Sequence, residues 1–376
     1  MKNVITINIL GDICPAWGFR KSFDEGDEAK IFGNVLPLLQ ESDLTIANLE
    51  CPLSDRGSPA TKTGPCLRGK LSDMSVLKRA GVDVVSLANN HILDYGQEAF
   101  FDTLEAAQRE GILTVGAAQN LTAAKTPLII ERDYLKIGLL SFAEEEFSIA
   151  SDSRGGASLF DPYCAFDEIA EARKKCDYLI ILYHGGIEHY ELPSPLLQKK
   201  CRKMIQSGAD LVLCQHSHCI GSFETYQDGA ILYGQGNAVF GKRDGNSRWN
   251  QGMLVSIELT KSTHNVTFRV FEANDSGISI LPNEAERIEQ MKELSARLND
   301  PDYIREKWNV FCCKQEAGYI PELLGWGRIR NKLNRTLKNR LVNILINRHR
   351  KMVTMNLIRC DAHREVVQTL LENSQK

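Results

Sequence analysis

Short apolar runs that alternate with helical segments constrain the fold of this chain more than any other feature. Runs rich in β-branched residues predict strands at 4–10, 44–48, 82–88, 112–116, 136–142, 178–183, 210–214 and 230–234. Helical periodicity between them predicts helices at 28–40, 72–80, 97–110, 165–175 and 195–207. Because several strand runs are apolar on both faces, we expect an α/β fold with a sheet covered by helices on both sides.

The pattern changes twice toward the C-terminus. From Met253 the segments "MLVSIEL" and "VTFRVFEA" alternate apolar and polar residues, which is typical of antiparallel strands with one solvated face. From residue 283 onward the periodicity is helical, and charged residues are frequent. We therefore predict a mixed α/β domain at 1–282 and a helical, basic C-terminal extension at 283–376.

Polar residues follow the predicted strands at several points. The strand ends carry Gly11-Asp12, Asn48-Leu49-Glu50, Asn89-Asn90-His91, His184-Gly185-Gly186 and Gln215-His216-Ser217-His218. In a parallel or mixed sheet the carboxyl ends of neighbouring strands converge on one crevice, where ligands usually bind. We therefore expect these carboxylates, amides and imidazoles to lie close together.

This set of side chains is typical of a metal site. Imidazole and carboxylate ligands together fit Zn, Mn or Fe, and a bridging carboxylate would hold two ions in the arrangement used for phosphoryl displacement. His216 and His218 lie on one side of an extended segment, because side chains alternate with period two. Each motif alone is also compatible with ordinary turns or hydrogen-bonded histidines; their coincidence with successive strand ends favours metal binding.

The order of the motifs resembles a known family. The segments are "GD", "ANLECPLS", "KTGPCLRG", "VVSLANNHILDYG", "HGGIEHYELPS", "GADLVLCQHSH" and "LYGQGNAVF". Over residues 4–275 the chain resembles the bacterial CapA-like proteins of capsule and poly-γ-glutamate synthesis, a branch of the calcineurin-like metallophosphoesterases. The resemblance implies a metallophosphoesterase-like four-layer α/β/β/α sandwich, followed here by the C-terminal helical extension.

The resemblance also implies a centre with two divalent metal ions (Mn, Fe or Zn). Carried over by position, the ligands are Asp12 and His218 on the first ion, Asn90, His184 and His216 on the second, and Glu50 bridging both. His91 would be the catalytic residue that donates a proton or stabilises the leaving oxygen.

One position departs from the general phosphoesterase pattern. Those enzymes carry a histidine two residues after the first aspartate, where this chain has Cys14. A thiolate there could bind zinc, or the cysteine could be a small buried residue, and we favour the second interpretation.

Four further residues near the predicted crevice are candidates for substrate binding: Lys62, Arg68, Glu188 and Asn237. Arg68 could bind a phosphate or carboxylate through two parallel hydrogen bonds. The alternative for each is an ordinary solvated or structural polar residue.

Two functional hypotheses follow. The first is a metal-dependent hydrolase acting on a phosphoester or a polyglutamate-type amide, so that its substrate is a phosphoester or an anionic polymer. The second is a non-catalytic accessory protein that binds an anionic polymer or a biosynthetic partner in the same crevice.

The segment 322–351 is strongly basic, with nine Lys/Arg and one acid. Ile329, Leu333, Leu337, Leu341 and Leu345 recur at four-residue spacing and predict an apolar stripe. The helix could pack this stripe on the core, attach to an anionic membrane surface with the help of Trp308 and Trp326, or bind a partner protein. Nucleic acid is not expected, because aromatic residues are not interleaved with the charges.

The compartment is predicted from three observations. The N-terminus "MKNVITINILGD" lacks the apolar core and cleavage site of a secretory signal, and no stretch approaches the roughly 18 apolar residues of a membrane span. The eleven cysteines are scattered and are expected to be reduced. We therefore expect a cytoplasmic protein, with attachment to the inner face of the membrane as the alternative.

Overall fold

The computed structural model describes residues 4–323, 325, 327–337 and 348–373. The chain divides into two compact units, Met1–Arg305 and Glu306–Lys376. The first unit reaches beyond residue 282, where the sequence analysis placed the change, because the helix Glu284–Ser295 buries Met291 among side chains of the two sheets.

The strands, in chain order, are β1 Ile5–Ile13, β2 Leu44–Leu49, β3 Val84–Ser86, β4 Leu113–Val115, β5 Ala117–Ala118, β6 Leu128–Arg132, β7 Leu135–Ala143, β8 Gly156–Ala157, β9 Tyr178–His184, β10 Leu211–Gln215, β11 Phe223–Tyr226, β12 Gly229–Leu232, β13 Asn237–Val239, β14 Gln251–Leu259, β15 His264–Ala273 and β16 Ile278–Ile280. The helices are α1 Arg20–Glu25, α2 Glu28–Phe32, α3 Leu36–Glu41, α4 Asp73–Arg79, α5 Gly96–Glu110, α6 Leu121–Ala124, α7 Ala165–Arg173, α8 Pro195–Gln206, α9 Ser247–Asn250, α10 Glu284–Ser295, α11 Pro301–Leu323 and α12 Arg328–Thr336, followed by Arg348–Arg359 and Asp361–Asn373.

Two sheets form the centre of the first unit. The first has the order β16-β15-β14-β1-β2-β3-β4, with β13 also pairing with β1, and the second has the order β11-β12-β10-β9-β7-β6. In the first sheet β1 to β4 are parallel, and in the second β7, β9, β10 and β12 are parallel. As expected from the sequence, the strands after Met253 are antiparallel.

Side-chain alternation along the strands produces the layers. On β1, Ile7 and Ile9 face the cluster between the two sheets, whereas Leu10 joins the cluster beneath the helices on the outer side. On β9, Ile180 faces the inter-sheet cluster and Ile181 the cluster under α7 and α8. The order is therefore helices, sheet, sheet, helices, which confirms the four-layer α/β/β/α sandwich. Truncating such a fully buried isoleucine to alanine typically costs about 2–5 kcal/mol.

Local sequence explains where several helices begin and end. At α8, the Ser194 hydroxyl accepts a hydrogen bond from the amide of Leu197 at 3.1 Å, and Pro195 occupies the first turn. The helix predicted at 28–40 is interrupted, because Gly33 has φ +50° and a 3-10 turn at Gly33–Val35 separates α2 from α3.

The second unit is helical where it is described. Residues 338–347 of the predicted basic segment, and with them Leu341 and Leu345, lie outside the described residues, as does Trp326. Leu333 and Leu337 are exposed. Across the described parts of the chain, no helix combines the length and apolarity needed to cross a membrane.

Candidate metal centre

The carboxyl ends of β1 and β2 in the first sheet meet those of β9 and β10 in the second. Two groups of buried side chains result: Glu50, His184 and His216, and Asp12, Glu50 and His218. Within each group the potential ligand atoms lie within 4.8 Å of one another. Glu50 belongs to both groups, which is the position that a bridging ligand would occupy. The structure thus brings together five of the residues singled out in the sequence.

Glu50 is completely buried and unsatisfied. Neither carboxylate oxygen has a hydrogen-bond partner among the described residues, and Oε1 lies 3.4 Å from Nε2 of His184. Burial raises the pKa of Glu50 well above its ordinary value. Because a buried carboxylate without hydrogen bonds is costly, this arrangement fits a site whose missing partner is a cation.

Asp12 is fixed by two donors from different elements. Its Oδ1 accepts a hydrogen bond from the side-chain amide of Asn48 at 2.8 Å, and Oδ2 accepts one from the backbone N–H of His216 at 3.1 Å. Nδ1 of His218 lies 3.8 Å from Oδ2. Burial, together with the charge of Glu50, raises the pKa of Asp12 to about 8. A nearby cation would restore the ionised form that binds metals.

The three histidines are held in the neutral form that binds metals. Burial lowers the pKa of His184 and of His216 to about 4 each, and lowers that of His218 well below its ordinary value. Nδ1 of His216 has no hydrogen-bond partner within the described part of the chain. His216 and His218 also have positive φ angles of 84° and 52°, a conformation that is uncommon for residues other than glycine and concentrates at functional sites.

Asn90 lies at the edge of the group that contains His184. Its Oδ1 is 3.1 Å from Nε2 of His184, and its Nδ2 donates to Oε2 of Glu146 at 3.0 Å. The oxygen therefore lies next to the nitrogen that would bind a metal, and the role of Asn90 as a ligand stays a prediction. Glu146, which the sequence analysis did not single out, also lies 4.0 Å from Nε2 of His216.

His91 is oriented by an acid three residues later in the same turn. Its Nδ1 lies 2.5 Å from Oδ2 of Asp94, which also accepts the amide of Leu67 at 2.7 Å. This contact leaves Nε2 of His91 for a substrate or a leaving group. Sequence reasoning missed Asp94; the signal available was an acid one helical turn after the histidine.

Lys62 takes a different place from the one expected. Its ammonium forms an ion pair with Asp94 in which both side chains are almost fully buried, and it lies 3.1 Å from Nδ1 of His91. The ammonium is thus paired with Asp94 and lies beside His91, and a contact of Lys62 with substrate stays a prediction.

Asn48 and Asn237 hydrogen-bond to candidate ligand residues and so help to orient them. Asn48 contacts Nδ1 of His184 at 3.3 Å as well as Asp12, so it links the two sheets. Asn237, expected to bind substrate, instead places Oδ1 2.8 Å from Nδ1 of His218 and donates to the carbonyl of Trp249 at 2.9 Å. Such outer hydrogen bonds fix the tautomer and direction of a ligand.

Arg68 and Glu188 are not among the grouped ligands. Arg68 is exposed, with its guanidinium carbon 4.2 Å from the ring centre of Tyr95. Glu188 is exposed beside His189, with Oε2 3.6 Å from Nε2 of that residue. Arg68 is therefore engaged with Tyr95 outside the ligand groups, whereas Glu188 lies in the loop that follows His184.

Cys14 lies in the hydrophobic core beneath the first sheet. It is fully buried in the cluster that also contains Cys51, and neither ligand group found among the described residues includes a cysteine.

Gly185 packs against Glu144, since a Cβ there would lie 2.5 Å from Cγ of Glu144. The glycine after His184 thus allows close packing within the protein rather than close approach of a ligand.

Comparison with known proteins gives the family. Residues 6–242, more than half of the chain, match the family model described as bacterial capsule synthesis protein PGA_cap. The chain belongs to this family. All members of the two ligand groups lie within the matched residues.

Among relatives, the chain is similar to the capsule biosynthesis protein CapA of Bacillus anthracis, with 28% identity over 68% of this chain and 64% of that protein. It is also 29% identical to a probable polyglutamine synthesis accessory protein of Mycobacterium tuberculosis, over 55% of this chain and 59% of that protein. The chain thus spans less than two thirds of either relative. Among solved structures, a hypothetical protein from Thermus thermophilus aligns over 72% of this chain and 100% of its own, with 15% identity and a TM-score of 0.47.

Proposed function

We propose that this member of the capsule-synthesis family is a metal-dependent hydrolase acting on a phosphoester or a polyglutamate-type amide in the metabolism of a cell-surface polymer. The observation that supports it most strongly is Glu50, a fully buried carboxylate whose two oxygens have no hydrogen-bond partner among the described residues and which is shared by two groups of histidines and acids. That donor set fits divalent Mn, Fe or Zn.

In the proposal, two ions are held as the resemblance implies. The ligands would be Asp12 and His218 for one ion, Asn90, His184 and His216 for the other, and Glu50 for both. When bound, the ions would polarise the scissile group and make water a stronger nucleophile near neutral pH.

The protein's own residues supply the rest of the chemistry. The Asp94 carboxylate accepts from Nδ1–H of His91 and stabilises the imidazolium form, which can then give its Nε2 proton to the leaving oxygen or nitrogen. Lys62 is paired with Asp94 and keeps this carboxylate in place. Oδ1 of Asn237 accepts from Nδ1 of His218 and so keeps this histidine in the tautomer that presents a free Nε2 to the centre, whereas Asn48 fixes the ring of His184 through its Nδ1.

The test combines metal content with turnover. Purified protein would be supplemented with Mn, Fe or Zn, analysed for bound metal, and assayed with aryl phosphoesters and γ-glutamyl amides. We expect bound metal, and hydrolysis of one substrate class that falls by about 10²–10⁴-fold in His91→Gln while the metal stays bound. His363→Gln, an exposed histidine of the second unit, is the matched control and should be unchanged.

A second candidate function is supported by the name of the Mycobacterium relative, an accessory protein. On this alternative the same crevice binds an anionic polymer or a biosynthetic partner without turnover. Bound metal with no hydrolysis of either substrate class, together with binding of a glutamate polymer, would favour it over the hydrolase. Absence of bound metal after supplementation would remove the hydrolase proposal.

The basic segment 322–351 remains a proposed contact with an anionic membrane surface or a partner protein, and a cytoplasmic location peripheral to the membrane is part of that proposal. Arg330 and Lys332 in its described part are exposed. Reversing both charges should weaken co-sedimentation with anionic lipid vesicles if this segment attaches to membranes.

A further inference from the structure

The indole ring of Trp249 packs beside the candidate metal centre. Its ring centre lies 4.6 Å from that of His218 and 6.1 Å from that of His189. The indole N–H donates to the carbonyl of Gly241 at 2.9 Å, and its backbone carbonyl accepts from Asn237. The tryptophan is thus buried and fixed, and its position is tied to the residue that orients His218.

The guanidinium of Arg243 stacks on the indole ring of Trp249. Its guanidinium carbon is 3.1 Å from the ring centre of Trp249. Two hydrogen bonds with Asn250 hold the backbone of Arg243: its N–H donates to Oδ1 at 2.7 Å, and its carbonyl accepts from Nδ2 at 2.8 Å. The backbone is therefore anchored, while the charged end rests on an aromatic surface that limits its freedom.

The charge of Arg243 differs from that of its basic neighbours. Lys242 pairs with Asp275 at 2.8 Å, and Arg248 and Arg287 both pair with Glu191 at 3.1 Å. For Arg243, none of the contacts found within the described ranges is an ion pair or a hydrogen bond of the guanidinium. An exposed guanidinium that forms no ion pair among the described residues, and that stacks on the tryptophan packed against His218, has its donors available for a ligand.

Electrostatics ties Arg243 to the same crevice. Partial burial lowers the pKa of Arg243, and the negative charge of Glu188 opposes this shift; burial raises the pKa of Glu50, and the charge of Glu188 adds to that rise. Glu188 therefore lies close enough to influence both the arginine and the shared ligand. Glu188 is exposed, and its carboxylate lies 3.6 Å from Nε2 of His189.

We propose that Arg243 binds an oxyanion of the substrate, a carboxylate or a phosphate, at the mouth of the metal centre beside His218. This inference rests on the proposed function, since it assigns the class of molecule that enters the crevice. A guanidinium presents paired N–H donors that match the two oxygens of a carboxylate or phosphate, and stacking on Trp249 fixes its plane before the ligand arrives. The preferred substrate would therefore carry an anionic group next to the bond that is cleaved.

The experiment measures binding by calorimetry with two probes, inorganic phosphate and a short γ-linked glutamate oligomer. Each probe is titrated into the full-length chain, both after metal supplementation and after treatment with a chelator. The variants are Arg243→Gln, which removes the charge, and Arg243→Lys, which keeps the charge but not the paired donors. Arg248→Gln is the matched control, because this arginine directly precedes Trp249 in the chain but is already paired with Glu191.

We expect Arg243→Gln to weaken binding by about tenfold or more, Arg243→Lys to give an intermediate loss, and Arg248→Gln to stay within about twofold. Loss for the glutamate oligomer alone identifies a carboxylate, and loss for phosphate alone identifies a phosphate. Equal affinity in Arg243→Gln and Arg248→Gln, or no binding of either probe to the unsubstituted chain, overturns the proposal. Absence of bound metal would instead remove the hydrolase proposal, and the titrations of the chelated protein would still decide the role of Arg243.

Discussion

The two sheets supply different halves of the candidate centre. The first sheet contributes oxygen donors, with Asp12 at the end of β1 and Glu50 directly after β2. The second contributes nitrogen donors, with His184 at the end of β9 and His216 directly after β10. Neither half alone makes a site for a transition metal, so the packing of sheet on sheet creates the chemistry.

Burial shifts the pKa values of the acids and of the histidines in opposite directions. It raises the pKa of Asp12 and of Glu50, and it lowers the pKa of His184 and of His216. Both effects favour neutral groups in the protein without metal, because an unpaired charge is costly in a buried site. A bound divalent cation would favour the ionised form of both acids, whereas the histidines would stay neutral.

The largest effect is expected where the halves meet. Glu50→Gln keeps the shape of the side chain but removes the charge shared by both ligand groups, so metal affinity should fall by at least about 100-fold. Elemental analysis of the purified variant would measure this loss, and circular dichroism would confirm that it is folded. The control is Glu188→Gln, which replaces an exposed acid near the same crevice and should retain its metal. Equal metal content in both variants would contradict the role of Glu50 as a shared ligand.

Single histidine substitutions would separate the two ligand groups. His184→Ala should empty the group with Glu50 and His216, and His218→Ala the group with Asp12 and Glu50, each lowering the bound metal by about half when two ions are present. Competition with a graded series of chelators would measure the affinity that remains. Complete loss of metal in both variants would mean that the groups act as one site rather than two.

The opposite pKa shifts predict how stability depends on pH in the metal-free protein. Asp12 titrates at about 8 in the folded chain and at about 4 when unfolded, so its contribution to stability is lost as pH rises through 8. His184 and His216 titrate at about 4 when folded and at about 6.5 when unfolded, so their contribution is lost as pH falls toward 4. The melting temperature should therefore decline from about pH 6.5 to pH 8.

Thermal unfolding after chelation, followed by circular dichroism, would show this decline. Asp12→Asn should make the decline shallower, because the amide does not titrate while Glu50, whose pKa burial also raises, still does; bound metal should suppress the decline by holding Asp12 ionised. A decline of the same steepness in Asp12→Asn would show that another group causes it.

The smallest effect is expected at Cys14. Its position in the core predicts that Cys14→Ala leaves metal content unchanged and lowers the free energy of unfolding by about 1 kcal/mol. Denaturant unfolding and elemental analysis would measure the two quantities, with Cys201→Ala, another fully buried cysteine, as the control for cavity formation. Loss of metal in Cys14→Ala alone would add a sulfur donor to the first-sheet half.

The sequence predicted the candidate ligands that the structure groups together because each lies where an apolar run ends, a pattern that chain order alone displays. Asp12 and Glu50 were found in this way, although they come from different strands. Asp94 was missed, and Asn48 was noted at a strand end without a role, because the roles of both depend on hydrogen bonds to His91 and His184 that no spacing reveals. Lys62 was assigned to substrate because its sequence context does not show the buried ion pair with Asp94.

The sequence by itself determined the alternation of strands and helices, the donors at the strand ends and the family resemblance, because these follow from local periodicity and from motif order. Only the tertiary structure decided that the donors form two groups sharing Glu50, that Cys14 lies in the core and that Arg243 stands on Trp249 beside His218. The reason is that burial, charge pairing and hydrogen bonding depend on which side chains the two sheets bring together, and this is a property of their packing rather than of any single segment.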